Sequence, residues 1–168
     1  IADSSMDLTI MTGLTLSKPR GKSELERRLV GPMAARIFGD GPDPAWLEPL
    51  HASALPANVH VHEFFLEPGA WLGSPLAQQS YASINYTHVA RTVAAAGANV
   101  VVQEIALRPD ADGGRASLGT NPDVTTDLLP LLDERSRAGK PFAYIGQVND
   151  RMPVMFGRAE VPASRFDF

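Results

Sequence analysis

The chain has no cysteine in its 168 residues. That excludes disulfide bridges, thiol nucleophiles and cysteine-ligated zinc, so the fold rests on packing alone. It has no long apolar run either. Ala94–Ala96 and Val100–Val102 are separated by Gly97 and Asn99, far short of the roughly 20 residues that cross a bilayer. Nor is there an excess of positive charge: 15 Lys and Arg stand against 19 Asp and Glu, a net charge of −4. A phosphate-tracking face needs clustered basic residues, so a general nucleic-acid surface is not expected. No Gly-x-Gly-x-x-Gly follows any expected strand, and the full Gly-x-x-x-x-Gly-Lys-Ser/Thr pattern does not occur, which argues against dinucleotide-binding and phosphate-loop sites. No stretch reads as a secretory leader, and the expectation is a soluble cytoplasmic protein.

What is present suits a globular domain. Hydrophobic residues make up 44% and charged residues 20% of the chain, enough for a core. The chain begins on Ile1, with Met6 just before an apolar run, and is read as a fragment.

Asp7–Gly13 clusters apolar residues as a short strand ending at a glycine turn. Ser23 followed by Glu26 matches a capping box, opening a helix with Leu25, Leu29, Ala34, Ile37 and Phe38 as its apolar stripe and Pro32 as a kink. Asp43-Pro44 reads as the N-cap and first residue of a short helix through Trp46, Leu47 and Leu50. Val59–Phe65 alternates as a strand, Glu67–Gln79 reads as a long loop around Trp71, and Tyr81–Tyr86 as a further strand. His88–Ala96 is a small-residue helix closed by Gly97. Asn99–Ala106 reads as a buried strand, and Asp110–Arg115 as a polar tip before a brief extended piece at Ala116–Gly119. Asn121-Pro122-Asp123 opens a helix with Val124, Leu128, Leu129, Leu131 and Leu132 inward and Gly139 as its stop. Phe142–Val148 is the last strand. Strands alternating with helices predict one α/β unit, a mostly parallel sheet covered on both faces.

In such a sheet, ligands gather at the carboxyl ends of the strands. This selects Thr12 and Gly13, Gln103 and Glu104, Gly119 and Asn121, and Gln147 and Asn149. Most are neutral hydrogen-bonding groups, suited to orienting a carbonyl or carboxylate, and they serve equally well to tie down loops. His60 and His62, two apart on a strand, share a face and could chelate a metal, with Glu63 adjacent and His51 nearby. Without a third ligand at a convincing spacing they read better as edge-strand histidines, and no metal is expected. His88 has no recognisable triad partner and reads as an ordinary helix residue. Lys18, Arg20, Lys22, Arg27 and Arg28 beside a glycine loop and a helix start could hold a phosphate, although a solvated helix face explains them as well.

Two longer stretches carry a resemblance. SLGTNPDVTTDLLPLL (Ser117–Leu132) and GQVNDRMPVMFGRAEVPASRFD (Gly146–Asp167) are similar to the acetyl-CoA hydrolase/4-hydroxybutyrate CoA-transferase family, whose members show SLG-x-S/N-x-D-x-T, a helix, a strand, a Q/E-V-N-x-x-MP turn and a closing strand. Upstream, MTGLTLSKP (Met11–Pro19) and HEFFLEPGAWLGSPLAQQSYASINYTHVAR (His62–Arg91) resemble its acetyl-CoA hydrolase branch. The resemblance spans about Leu8 to Asp167.

It implies a three-layer α/β fold of the CoA-transferase type, with residues 1–168 as the amino-terminal domain of a two-domain, homo-oligomeric enzyme. The substrates implied are an acyl-CoA and a small carboxylate, with coenzyme A as substrate and no further cofactor. The family's nucleophile is a glutamate in the carboxyl-terminal half, which forms an acyl anhydride and then a glutamyl-CoA thioester. That half is not in this sequence, so no catalytic residue is assigned here, and Glu63 and Glu104 read as structural. Thr12, Gly13, Gly119, Asn121, Gln147 and Asn149 would line the substrate pocket facing the absent half. A stand-alone, non-catalytic acyl- or CoA-binding module of the same fold is the alternative. A metal-dependent hydrolase built on His60 and His62 is a third.

Overall fold

A computed structural model describes residues 3–15, 17–66, 69, 71–108 and 114–168. The chain is a mixed α/β protein with two sheets, and it divides into two compact units, Ile1–Ile84 and Asn85–Phe168.

In the first unit, β1 (Leu8–Thr12) and β2 (Val59–Glu63) pair in parallel with Thr12 opposite Glu63. Alternation along β2 turns Val59, Val61 and Glu63 inward and leaves His60 exposed. The inward row meets Leu50, Trp71 and Ala77 in the unit's core. The capping box forms as the Ser23/Glu26 spacing predicts, and α1 runs over Glu24–Phe38 with Pro32 inside it. None of its residues is buried. Of the expected stripe, Leu25, Leu29 and Ile37 are exposed, Leu25 at 75% and Ile37 at 65%, while Ala34 and Phe38 are half-buried.

Helix α2 (Leu47–His51) starts three residues later than Asp43-Pro44 suggests, with Trp46 at the N-cap. Asp43 is drawn away instead, accepting from the Lys18 backbone N–H and from Arg20. The stretch read as a long loop contains α3 (Pro75–Ser80), capped by the Ser74 hydroxyl with proline at its start. Trp71 is buried against Leu50 and Val61. Residues 67, 68 and 70 of that stretch lie outside the described residues.

In the second unit, the sheet order is β5-β3-β4-β6. β3 (Val100–Arg108) pairs in parallel with β5 (Ala143–Val148), and antiparallel with β4 (Arg115–Ser117), which in turn pairs antiparallel with β6 (Glu160–Pro162). The sheet is therefore mixed rather than mostly parallel. The physical reason is chain length: a parallel crossover takes a dozen or more residues, whereas only six separate β3 from β4. Of the polar tip Asp110–Arg115, residues 110–113 lie outside the described residues.

Helices α4 (Val89–Ala95) and α5 (Asp123–Arg137) pack on each other through Ala90, Ala94, Leu128 and Leu132, with Val101 of β3 beneath. Leu129 joins Ile105, Ala116, Leu118 and Tyr144 in a second cluster. Val100 and Val102 point to the other face and are 50% and 65% exposed. That face of β3 is thus open at Val100 and Val102 and becomes buried only at Ala106. The expected strand at Tyr81–Tyr86 is not formed: Tyr81 makes a single bridge to Glu63, and Tyr86–His88 is a 3-10 turn leading into α4.

Candidate functional site

At the carboxyl end of the β3–β5 pair, several of the selected residues meet. Gln103 accepts from the Thr125 hydroxyl at 2.7 Å and donates to the Leu118 carbonyl at 3.4 Å, which ties the strand to the first turn of α5 and to the β4–α5 loop. Glu104 accepts from the Asn149 amide at 2.8 Å. Asn149 in turn accepts from the Arg151 N–H with its own carbonyl oxygen and donates its backbone N–H to Ile105. Asn149 is therefore a loop-holding residue whose side chain is committed on both atoms.

Ser117, fully buried at the end of β4, is the centre of this arrangement. Its hydroxyl donates to the Met155 carbonyl at 3.1 Å and accepts from the Met155 N–H at 2.8 Å and the Gly119 N–H at 3.3 Å. One hydroxyl thus fastens the turn after β5 to the loop before α5. Gly119 adopts φ +76°, a conformation that favours glycine, and a Cβ there would lie 2.6 Å from the Met152 sulfur, which would have to shift. Position at a strand end marks Gly119 and Asn149 but not Ser117, Thr125 or Met152 as site-shaping residues. The isolated signal for Ser117 was its place two residues before a glycine at a strand end.

Gln147 lies opposite Glu104 in the register and is exposed. Asn121 is exposed at the entry to α5, beside Tyr86. Burial and a hydrogen bond to Asp123 at 3.3 Å raise the Tyr86 pKa.

In the first unit, the Thr12 carbonyl accepts from the Phe64 N–H at 3.2 Å. A Cβ on Gly13 would press to 3.3 Å from the Phe64 ring. Just beyond, the Thr15 N–H donates to Glu63 at 3.1 Å, and the Trp46 indole donates to the Thr15 hydroxyl at 3.3 Å. Thr12 and Gly13 therefore sit beside a buried carboxylate at the carboxyl end of a parallel pair. Alternation on β2 places that carboxylate, whose sequence context alone reads as structural.

His60 lies 3.7 Å from Asp7 at the surface, and His62 Nδ1 lies 3.1 Å from the Ser80 carbonyl. The two imidazoles are engaged separately, and no group of three or more metal-ligating side chains gathers among the described residues. His88 is exposed at the N-cap of α4 without a capping bond of its own.

The basic segment is also spoken for. Gly21-Lys22-Ser23 keeps the tail of a phosphate-loop pattern ahead of α1, but the Lys22 and Ser23 N–H groups both donate to the Glu26 carboxylate. Those backbone bonds hold the Glu26 pKa below its ordinary value. Arg27 caps the Gly21 and Lys22 carbonyls, and Lys18 donates to Gly39. The positive end of the helix is filled by the chain's own carboxylate.

No protein-family model matches the chain, and no curated protein matches it. No helix among the described residues is long and apolar enough to cross a membrane.

Proposed function

We propose that the chain is the amino-terminal part of an acyl-CoA hydrolase or CoA-transferase-like enzyme that works through a glutamyl-CoA intermediate. The observation that carries this reading is the convergence at the end of β3–β5. Two separate motifs of the resemblance, SLGTN and QVNDRMP, meet there: Ser117 of the first bonds to Met155, two residues past the second, and Gly119 of the first lies against Met152 of the second. Motifs far apart in sequence come to one place, and that place is where an α/β sheet carries its ligands.

On this reading the chain provides a wall and not a nucleophile. Gly119 and Asn149 set its shape, since their polar groups are already bonded internally. Asn121 and Gln147, exposed at its rim, orient the thioester carbonyl or the carboxylate product. Thr12 and Gly13 line the corresponding strand end of their own unit. The glutamate outside this chain attacks the thioester carbon, forming an acyl anhydride and releasing CoA thiolate. The thiolate then attacks the glutamyl carbonyl, forming the enzyme thioester and freeing the acyl carboxylate. Water ends the cycle in a hydrolase, and a second carboxylate ends it in a transferase.

A three-layer architecture and a larger, homo-oligomeric cytoplasmic enzyme belong to the same proposal. The open faces at Val100/Val102 and along α1 support it, because apolar surface of this kind ordinarily marks a covered layer. The test is thioester hydrolysis and acetate exchange by the isolated 168-residue chain. No turnover is expected, and calorimetry should give weak binding of CoA. Robust turnover would overturn the placement of the nucleophile, and tight binding without chemistry would favour a stand-alone binding module.

A further inference from the structure

Helix α1 is the least supported element of its unit. None of its 15 residues is buried, and no strand or helix among the described residues packs along it. Leu25, Leu29, Met33 and Ile37 recur every fourth residue and so form one continuous stripe; they are 75%, 69%, 52% and 65% exposed. A helix of this length with Gly31 and Pro32 at its middle has little stability of its own in water. The Ser23 cap holds one end only, and burying the stripe against a second surface supplies what is missing.

The charges on the helix indicate what that surface is. Its acidic residues, Glu24 and Glu26, lie in the first turn, and Arg36 lies in the last. Turning a second copy end for end about the middle of the stripe sets Leu25 against Ile37 and Leu29 against Met33. It also brings Arg36 of each copy level with Glu26 of the other, and sets Arg27 and Arg28 level with Ala35 and Ala34. A parallel pairing would instead put Arg36 beside Arg36 and Glu26 beside Glu26, like charges at both ends. An anionic lipid surface would meet the carboxylates of the first turn.

We propose that α1 is a self-association surface, on which two copies of this chain pair antiparallel about a two-fold axis, stripe against stripe. Such an interface closes on itself and leaves no apolar face to propagate. It gives a place to the self-association included in the proposed function and rests on that reading only there. The pairing uses neither the candidate site nor acyl transfer, so its failure leaves both standing.

The chain has no cysteine, so an introduced one is its single thiol. Leu25→Cys and Ile37→Cys are oxidised separately and as an equal mixture, and sedimentation equilibrium follows the wild type and Leu29→Glu. In the antiparallel pair the two positions meet, whereas the two copies of position 25 lie about 18 Å apart along the helix, beyond the reach of a disulfide. The mixture is expected to cross-link at least about tenfold faster than either variant alone, since pairing raises the effective concentration of unlike thiols only. Leu29→Glu is expected to weaken the dimer at least about tenfold, through loss of a buried leucine and a carboxylate set in its place. A wild type that stays monomeric up to about 1 mM, the weak end of specific association, overturns the proposal, as does a monomer that sediments with phosphatidylserine vesicles instead. Preferred cross-linking of like positions, or a dimer unweakened in a folded Leu29→Glu, overturns it as well. If circular dichroism shows Leu29→Glu unfolded, the cross-linking pattern decides alone: preference for unlike positions supports the interface, and its lack overturns it.

Discussion

Replacing Ser117 with alanine removes the hydroxyl that joins the loop before α5 to the turn after β5. Three hydrogen bonds go with it: to the Met155 carbonyl, from the Met155 N–H and from the Gly119 N–H. Gly119 is buried, so its N–H is left without an acceptor, at a cost of about 1–3 kcal/mol. Met155 is 42% exposed, and water can replace part of what it loses, so its two groups add roughly 1 kcal/mol. The total is about 2–4 kcal/mol. For a unit of this size each kcal/mol moves the midpoint by about 4–8 °C, which predicts a loss of roughly 8–32 °C by circular dichroism. Native-state hydrogen exchange should show the Gly119 and Met155 amides opening together, with the protection of Ile105 and Tyr144 reduced less. A melting temperature within about 2 °C of wild type, with unchanged exchange at Gly119 and Met155, would refute the role given to this hydroxyl.

Gly119→Ala should cost about 1–2 kcal/mol from its positive φ alone, and more because Met152 must move from its 2.6 Å approach; thermal unfolding measures the first and exchange of residues 149–155 the second. Ser23→Ala should lower helicity with a cost of about 1 kcal/mol, because α1 has no buried residue to hold it and depends on its cap. The same helix start carries a pH dependence. With the folded pKa of Glu26 depressed, its contribution is present above the unfolded value near 4.5 and is lost as pH falls through the folded value, an acid-side loss that Glu26→Gln should abolish in a helicity titration. At the other extreme, burial pushes Tyr144 up to about 12, opposed by Arg165. The unfolded chain then ionises first, so stability holds below pH 10 and falls as pH rises from 10 towards 12; ultraviolet titration should show one of the three tyrosines ionising last, and Tyr144→Phe should remove that step.

Local chemistry was the most legible part of the sequence. Ser23 and Glu26 form their reciprocal cap because the pattern is satisfied within four residues, whatever the rest of the chain does. The strands at Leu8–Thr12, Val59–Glu63, Val100–Arg108 and Ala143–Val148 follow from apolar and β-branched runs bounded by breakers. Where the reading went astray, a tertiary partner decided. Asp43 had the right chemistry for a cap but bonds to Lys18 and Arg20. Pro68, Gly69, Gly73 and Pro75 suggested loop throughout Glu67–Gln79, although proline is welcome at a helix start and Ser74 caps α3. Spacing alone could not tell that most of the stripe of α1 stays exposed, because amphipathicity specifies a face and not its cover. At the candidate site, the strand-end rule found Gly119 and Asn149 but missed Ser117, whose importance lies in contacts 38 residues away in sequence.

The central claim is that this chain supplies the wall, and not the nucleophile, of a carboxylate-based acyl transfer. The most direct measurement is peptide mapping by mass spectrometry of the complete gene product after incubation with acetyl-CoA, to locate any glutamate carrying CoA as a thioester. The account predicts one such glutamate, outside residues 1–168. A CoA adduct on Glu63, Glu104 or any other residue of this chain, or acetyl-CoA turnover without a glutamyl thioester, would contradict it.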